Sequence, residues 1–361
     1  MAREKTALTK TISEIEKDYQ NWAANGVETY PDTARKIAAY WRWKGFPFHD
    51  LREAQRIKHL RSLLSYPHEK LIEDGVVSQT MHGLGLAGSY FAHSMSVRCG
   101  TMRTPLEVFS NDDLFAKAVE KRIKTVGREE LTENDIRKAC KSFSGTHAVS
   151  NFRPTAAAAI YHRYMPEHGG VTWDMSSGWG GRLLGAIACE RVRGYIGCDP
   201  AQETAWGWLA MASELNNSAK RLGREMGVEF YLKGSEDMRP NLLPASVDLC
   251  FSSPPYFAQE LYSEEPTQSY KRFPNREAWL NGFMAQTLDN CYYCLKDDGI
   301  LAVNIANVST FPDLEDAFMS LATSRGWKCF ETLHLALSPM WGTRKPGQKW
   351  KYEPIFAFKK N

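Results

Sequence analysis

From residue 150 onward, short runs rich in Val, Ile, Tyr, Phe and Cys alternate with apolar-periodic runs of helical length, and nothing else in the chain restricts its fold as much. Strands separated by helices pair in parallel and need cover on both faces, so the pattern predicts an α/β fold with a doubly wound sheet. The strands are read at 171–175, 194–198, 228–232, 247–252, 299–304, 329–337 and 353–358. The last two have no helix between them. Trp341 to Trp350, rich in Gly, Lys and Arg, reads as a turn, which makes the final pair of a seven-stranded sheet an antiparallel hairpin at its edge. Ahead of residue 150 the text is helical: Ile12 to Trp22, Thr33 to Trp43, and a run opened by Asp50 as N-cap with Leu51, Ile57, Leu60 and Leu63 at helical spacing. Asp113 to Lys124 and, capped by Thr132, Glu133 to Phe143 complete this part. The expected organisation is a mainly helical N-terminal domain, 1–150, and an α/β domain, 151–361.

A chain of 361 residues buries roughly three-quarters of its unfolded surface and needs no disulfide to hold its core. Its eight cysteines are scattered, and the one CxxC, Cys291 and Cys294, lacks a second pair at zinc-site spacing, so reduced helix-face thiols and no metal are expected. No apolar run nears the roughly 20 residues that span a bilayer. The opening MAREKTALTKTISEIEKDYQ lacks the apolar centre of a signal peptide, so a cytoplasmic chain with no membrane partner is expected. A net charge of +3 is too mild to imply a polyanion partner by itself, and leaves room for a local basic groove.

The first strand ends in Asp174 and passes through Ser176-Ser-Gly178-Trp-Gly180-Gly into an apolar helix start. A strand, a glycine turn and a helix N-terminus place backbone amides at the carboxyl edge of the sheet, where α/β folds bind nucleotides. The second strand ends at Asp199, about 20 residues beyond the glycines, where a carboxylate suits two ribose hydroxyls. The glycines do not spell GxGxxG, which favours a nucleoside over a pyrophosphate. The third strand is followed by Glu236 and Asp237, beside where an adenine ring would lie. A GxGxxG does occur at Gly83 to Gly88, with no predicted strand before it, and reads as a turn.

The fourth strand ends in Ser252-Ser253-Pro254-Pro255-Tyr256-Phe257. Two consecutive prolines cannot continue a helix or donate to a sheet, so they fix an extended corner. That corner offers a hydroxyl on Ser253, a carbonyl on Pro254 and the face of Tyr256. Two acceptors converging on one NH2 group draw its hydrogens away and leave the nitrogen lone pair directed at an electrophile.

Here the chain resembles the S-adenosylmethionine-dependent amino-methyltransferases of DNA, whose motif is Asp, Asn or Ser, then Pro-Pro, then an aromatic; Ser253 to Tyr256 matches it. The likeness runs from Asn151 to the end. Asn151-Phe152-Arg153-Pro154-Thr155 is similar to the segment laid over the methionine moiety of the cofactor. Asp174, Ser176, Gly178 and Gly180 look like its loop, Asp199 like its ribose acid, Glu236 and Asp237 like the residues near adenine, and Ser252 sits beside them. The tail from Arg344 through Glu353-Pro354-Ile355-Phe356 looks like the closing hairpin. The family's usual Phe-x-Gly-x-Gly is replaced by Met175-Ser-Ser-Gly-Trp-Gly.

The resemblance implies the class I methyltransferase sheet and direct transfer of the sulfonium methyl to an exocyclic amine, with no metal and no covalent enzyme intermediate. The target base would be flipped from duplex DNA and stacked on Tyr256. Serine at the first motif position is commoner in cytosine-N4 enzymes, so cytosine N4 is expected ahead of adenine N6. The setting implied is a bacterial or phage-infected cytoplasm.

Ala258 to Pro274 is long and polar beside the corner, as a lid or binding element would be. Phe257, Tyr262, Lys271, Arg272, Arg344 and Lys345 are the expected substrate-binding residues, the cations lining a phosphate-contacting rim with Lys349 and Lys351 if loop and hairpin face one side. Their other reading is solvated surface charge. Trp341 and Trp350 are read as packing the hairpin. Too little chain follows the corner for a reading domain, which leaves target recognition to the first 150 residues. Two alternatives stay open: a methyltransferase acting on RNA or a protein amide, and an inactive nucleic-acid-binding protein on the same scaffold.

Overall fold

The computed structural model describes residues 30–337 and 351–361. The helix expected at 12–22 and the turn at 341–350, with Trp341, Arg344, Lys345, Lys349 and Trp350, lie outside the described residues. The helices of the first half are α1 (Tyr30–Lys44), α2 (Glu53–Leu64), α3 (Pro105–Ser110), α4 (Asp112–Val126) and α5 (Glu133–Lys141). Contacts group the chain into two compact units, one of residues up to Phe48 with Met95–Val149, the other of His49–Ser94 with Ser150–Asn361. The segment 49–94, read above as N-terminal, therefore belongs to the second unit. The reason is α2, which packs on helices of that unit with Leu60 and Leu63 fully buried.

In the first unit, α1, α3, α4 and α5 close over Ile37, Trp41, Phe109, Phe115, Val119, Ile123 and Ile136. The starts of α3, α4 and α5 are fixed by side-chain caps from Thr104, Asn111 and Thr132. Asn111 Oδ1 accepts from Leu114 N at 3.0 Å and opens α4, which stops at Gly127 in the left-handed region (φ +67). Thr132 caps α5 as expected, sharing a capping box with Asp135. Burial pushes the Asp135 carboxyl up, but hydrogen bonds from Thr132 and Arg122 outweigh it and hold the group at about 2. The expected cap of α2 is corrected: Asp50 stands outside the helix, which opens after Arg52, whose N–H donates to Gln55 Oε1 at 2.9 Å.

The second unit carries the sheet. Its elements are α6 (Pro154–Tyr164), β1 (Gly170–Asp174), α7 (Gly181–Ala188), β2 (Val192–Cys198), α8 (Gln202–Arg221), β3 (Gly227–Tyr231), β4 (Val247–Ser252), α9 (Ala285–Cys294), β5 (Leu295–Asn304), α10 (Leu314–Ser324), β6 (Trp327–Leu337) and β7 (Lys351–Lys360). All seven predicted strands are present. Their order across the sheet is β3-β2-β1-β4-β5-β7-β6. Every neighbour pair is parallel except those of β7, which runs antiparallel to both β5 and β6. This is the doubly wound arrangement with a terminal antiparallel hairpin that the sequence predicted.

Beyond β6 the sheet gains a small ribbon, Ile72–Glu73 with Val76–Val77, the latter parallel to β6 through His334 and Leu335. All six residues of β4 are buried, as a central parallel strand requires. One core layer gathers Trp173, Cys250, Leu301 and Phe358 from the sheet against Trp279, Phe283, Leu288, Phe318 and Trp327. The cysteines are free, with Cys250 Sγ 3.8 Å from Cys294 Sγ in that layer. Among the described residues no group of His, Cys, Asp or Glu is spaced to hold a metal ion, and no helix is long and apolar enough to cross a membrane.

The GxGxxG at Gly83 is not simply a turn. Leu84–Gly88 forms a five-residue helix after the Val76–Val77 strand. Its glycines serve packing: a Cβ on Gly88 would stand 2.9 Å from the His49 ring, and one on Gly83 3.0 Å from Pro154.

Candidate active site

The turn after β1 is held by its own strand. Gly178 (φ +51) and Gly180 (φ +70) take left-handed conformations, which bend the chain back into α7. A Cβ on Gly181 would lie 2.0 Å from the Phe152 carbonyl oxygen, so the residue must be glycine for the segment before α6 to pass. Asn151 Nδ2 donates to the Trp179 carbonyl at 2.8 Å and ties that segment to the turn. Phe152 sits edge-on to Phe251 at 5.5 Å and under the Arg182 guanidinium at 5.6 Å. Pro154 opens α6, and burial pushes the Arg153 guanidinium down from its ordinary value.

Asp174, fully buried, accepts from Arg182 Nε at 2.9 Å and Tyr195 OH at 2.5 Å on Oδ2, and from Ser252 Oγ at 2.8 Å and Ser176 N at 3.3 Å on Oδ1. Arg182 also donates to the Ser176 carbonyl. Both carboxylate oxygens are thus taken by the protein itself, so Asp174 braces the turn instead of presenting acceptors to a ligand. Ser252 accepts in turn from Ser176 N at 3.1 Å and fastens the end of β4 to the turn after β1.

Asp199, at the end of β2, accepts from Gly178 N at 3.1 Å and Ala201 N at 3.0 Å, one on each oxygen. Each oxygen keeps a lone pair, and no cation pairs with it among the described residues. Burial holds its carboxyl up at about 6. After β3, Glu236 is buried; its Oε1 accepts from Arg272 at 2.5 Å, while Oε2 has no hydrogen-bond partner. Burial pushes it up to about 7. Asp237 accepts from the same guanidinium at 2.5 Å. Asn290 Nδ2 donates to the Ser235 and Glu236 carbonyls and fixes this loop.

The corner follows directly. Ser253 Oγ lies 3.5 Å from Tyr256 OH, and that hydroxyl lies 3.3 Å from the Asn304 carbonyl oxygen, Asn304 Oδ1 and Glu353 Oε2. Burial first, then the Glu353 carboxylate, pushes the Tyr256 phenol well above its ordinary value. Tyr262 donates to Glu260 and meets the Trp179 ring edge-on at 5.7 Å, over the glycine turn. Burial raises both Glu260 and Glu353.

Three expected substrate contacts have other occupations. Phe257, in the left-handed region at φ +55, turns its ring to the core against Trp279 and Phe311. Lys271 Nζ pairs with Glu264 at 2.6 Å, and Arg272 with Glu236 and Asp237. The stretch they belong to runs across the sheet edge, anchored where Glu265 Oε1 accepts from Gln202 N at 3.1 Å and Thr267 Oγ1 donates to the Pro200 carbonyl at 3.2 Å.

No protein-family model matches the sequence, and no curated protein matches it. Among solved structures it is similar to TrmN from Thermus thermophilus, at 15% identity over 58% of this chain and 49% of that one, TM-score 0.36. It thus spans about half the length of TrmN. It is also similar to an rRNA methylase from Streptococcus thermophilus, at 13% identity over 59% and 99% of the two chains, TM-score 0.33. A third likeness is to Aeropyrum pernix fibrillarin, solved with natively bound S-adenosyl-L-methionine, at 15% identity over 56% and 73%, TM-score 0.34. The order and direction of the seven strands decide the architecture. The fold is that of class I methyltransferases.

On that fold, the sequence reading missed Arg182, Tyr195, Asn304, Glu260 and Glu353. Arg182 was within reach, one residue past the glycines and aligned with a strand-end acid. Glu260 lies in the stretch already placed beside the corner, where Tyr262 donates to it, whereas Tyr195, Asn304 and Glu353 join the site only through the pairing of distant strands.

Proposed function

We propose that this chain transfers the methyl group of S-adenosylmethionine to the exocyclic amine of a base flipped out of duplex DNA, at cytosine N4 in preference to adenine N6. The observation that carries this reading is the join between corner and turn: Ser252 Oγ accepts from Ser176 N at 3.1 Å. Ser253 and Gly178 therefore flank a single stretch of sheet edge.

The donor and acceptor set fits the nucleoside part of that cofactor. Asp199 keeps a lone pair on each oxygen for ribose hydroxyls, and the orphaned, buried Glu236 Oε2 is an acceptor for an adenine amine. A Cβ on Gly178 would meet nothing closer than the Ser176 carbonyl at 3.8 Å, which leaves room above the turn. When bound, the cofactor supplies a methyl carbon made electrophilic by its positively charged sulfur. The chain does the rest. Ser253 Oγ and the Pro254 carbonyl accept the amine hydrogens, the Pro254-Pro255 corner fixes their directions, and the Tyr256 face carries the base. Lys271 and Arg272 reach phosphate only by leaving Glu264 and the Glu236–Asp237 pair. Target recognition is assigned to the first compact unit.

Incubation with labelled S-adenosylmethionine and duplex DNA, followed by nucleoside mass analysis, tests the reading. N4-methylcytosine is the expected product. N6-methyladenine would move the target atom, and label found only in added RNA or protein would move the acceptor class. Unmodified DNA with cofactor firmly bound would overturn the proposal.

A further inference from the structure

An amine that gains a methyl group becomes a positively charged nitrogen with one proton to lose, and the site as read so far gives that proton no destination. A serine hydroxyl accepts a hydrogen bond but is too weak a base to hold a proton. The geometry around Tyr256 supplies the missing step. Asn304 Nδ2 donates to the Pro354 carbonyl at 3.0 Å, which turns its Oδ1 toward the phenol. Tyr256 OH has one hydrogen and meets the Asn304 carbonyl oxygen, Asn304 Oδ1 and Glu353 Oε2 together, each at 3.3 Å. Its hydrogen therefore points to this side, and a lone pair faces Ser253 Oγ at 3.5 Å.

We propose that Glu353 is the terminal proton acceptor of the reaction, reached from the amine through Ser253 and Tyr256. The inference rests on the amine-methylation reading. As the nitrogen lone pair forms its bond to the methyl carbon, the carbon–sulfur bond breaks and its pair stays on sulfur. The proton shed by the nitrogen goes to Ser253 Oγ, the serine hydrogen to the Tyr256 oxygen, and the phenol hydrogen to Glu353 Oε2. Serine and tyrosine end unchanged, and the carboxylate ends as the acid.

The surroundings suit a base. Glu353 enters from the start of β7, and because that strand runs against the others its first residues stand at the carboxyl edge. The ionisable groups around it are Tyr256 and the carboxyls Glu260 and Glu315, with no cation at ion-pair distance among the described residues. Burial and Glu315 raise its carboxyl, while hydrogen bonds from Tyr256 and Asn304 lower it; the net direction is upward, toward a stronger base.

The test is Glu353→Gln, which keeps shape and removes the base, with Tyr256→Phe as a second variant that cuts the relay and leaves the stacking face. Single-turnover methylation of unmodified plasmid DNA is followed against pH, and the protonated-carboxyl infrared band is followed without cofactor. In the wild type the rate climbs with pH along one ionisation, and the infrared band fades over the same pH range. Both variants lose that limb and about 10²-fold or more in plateau rate. The wild-type minus Glu353→Gln difference isolates the Glu353 band from those of Asp199, Glu236 and Glu260, whose carboxyls are also raised, and Glu353→Asp recovers the limb in part. A wild-type pH limb in both variants, with rates within about threefold, overturns the relay. A wild type that binds cofactor yet methylates no DNA base overturns the amine-methylation reading and the relay with it.

Discussion

Two stretches of one sheet edge follow opposite electrostatic plans. At the end of β1, the buried Asp174 receives hydrogen bonds on both oxygens, with the Arg182 charge among the donors. Where β4, β5 and β7 meet, the Tyr256 phenol faces more acceptors than it has hydrogens, and Glu260 and Glu353 stand without an ion-pair partner among the described residues. A saturated buried network fixes one geometry, whereas an under-supplied one leaves protons with more than one resting place. The first stretch is scaffold and the second is where chemistry is expected.

The contrast breaks most sharply at Asp174. In Asp174→Ala the buried Arg182 loses its counter-charge, and a loss of about 3–5 kcal/mol is expected in urea unfolding. A loss under about 1 kcal/mol would show that the network is dispensable. Tyr256→Ala is expected to leave cofactor affinity little changed while turnover drops more than about 10²-fold, because the proton relay is lost together with about 1–3 kcal/mol of base stacking. Parallel loss of cofactor binding, read by calorimetry, would place that ring with the scaffold.

A pH profile sharpens the boundary between the two plans. Asp199 is held at about 6 by burial, above the roughly 3.9 of an unfolded chain. A carboxyl raised on folding stabilises the protein while protonated; that contribution is full below about 4 and is lost as pH rises through 6. Glu236, held at about 7, acts in the same sense. Wild-type stability is therefore expected to fall by up to about 3 kcal/mol between pH 4 and 7 on account of Asp199, about two pK units at about 1.4 kcal/mol each. Cofactor affinity should rise over the same range as the ribose acceptor ionises. Asp199→Ala should flatten both profiles, and an unaltered affinity profile would remove Asp199 from the ribose site.

What could be read from the sequence was what is written locally. Strand and helix periods, the glycine turn, Asp199 and the double-proline corner each declare themselves within a few residues, and β1 through β7 lie close to their predicted places. Contacts made by folding back were illegible. Nothing near Glu353 announces that it meets Tyr256, 97 positions earlier, because the meeting depends on the reversed direction of β7. Phe257 reads as a site aromatic until its left-handed backbone turns it inward. The charges of Lys271 and Arg272 suggested phosphate, but acids on neighbouring loops claim both. Asp50 looked the better cap, yet Gln55 supplied the bond from inside the helix.

The two-residue strand Val76–Val77 lies along His334 and Leu335, on the outer side of the eleven-residue β6. Bare N–H and C=O groups on a strand of that length are a template for joining another molecule's strand. By occupying part of this border, the ribbon blunts it against edge-to-edge association. Lengthening or softening the connection around Asp74 and Gly75 would thus show itself first in solubility at high concentration, with the catalytic edge left intact.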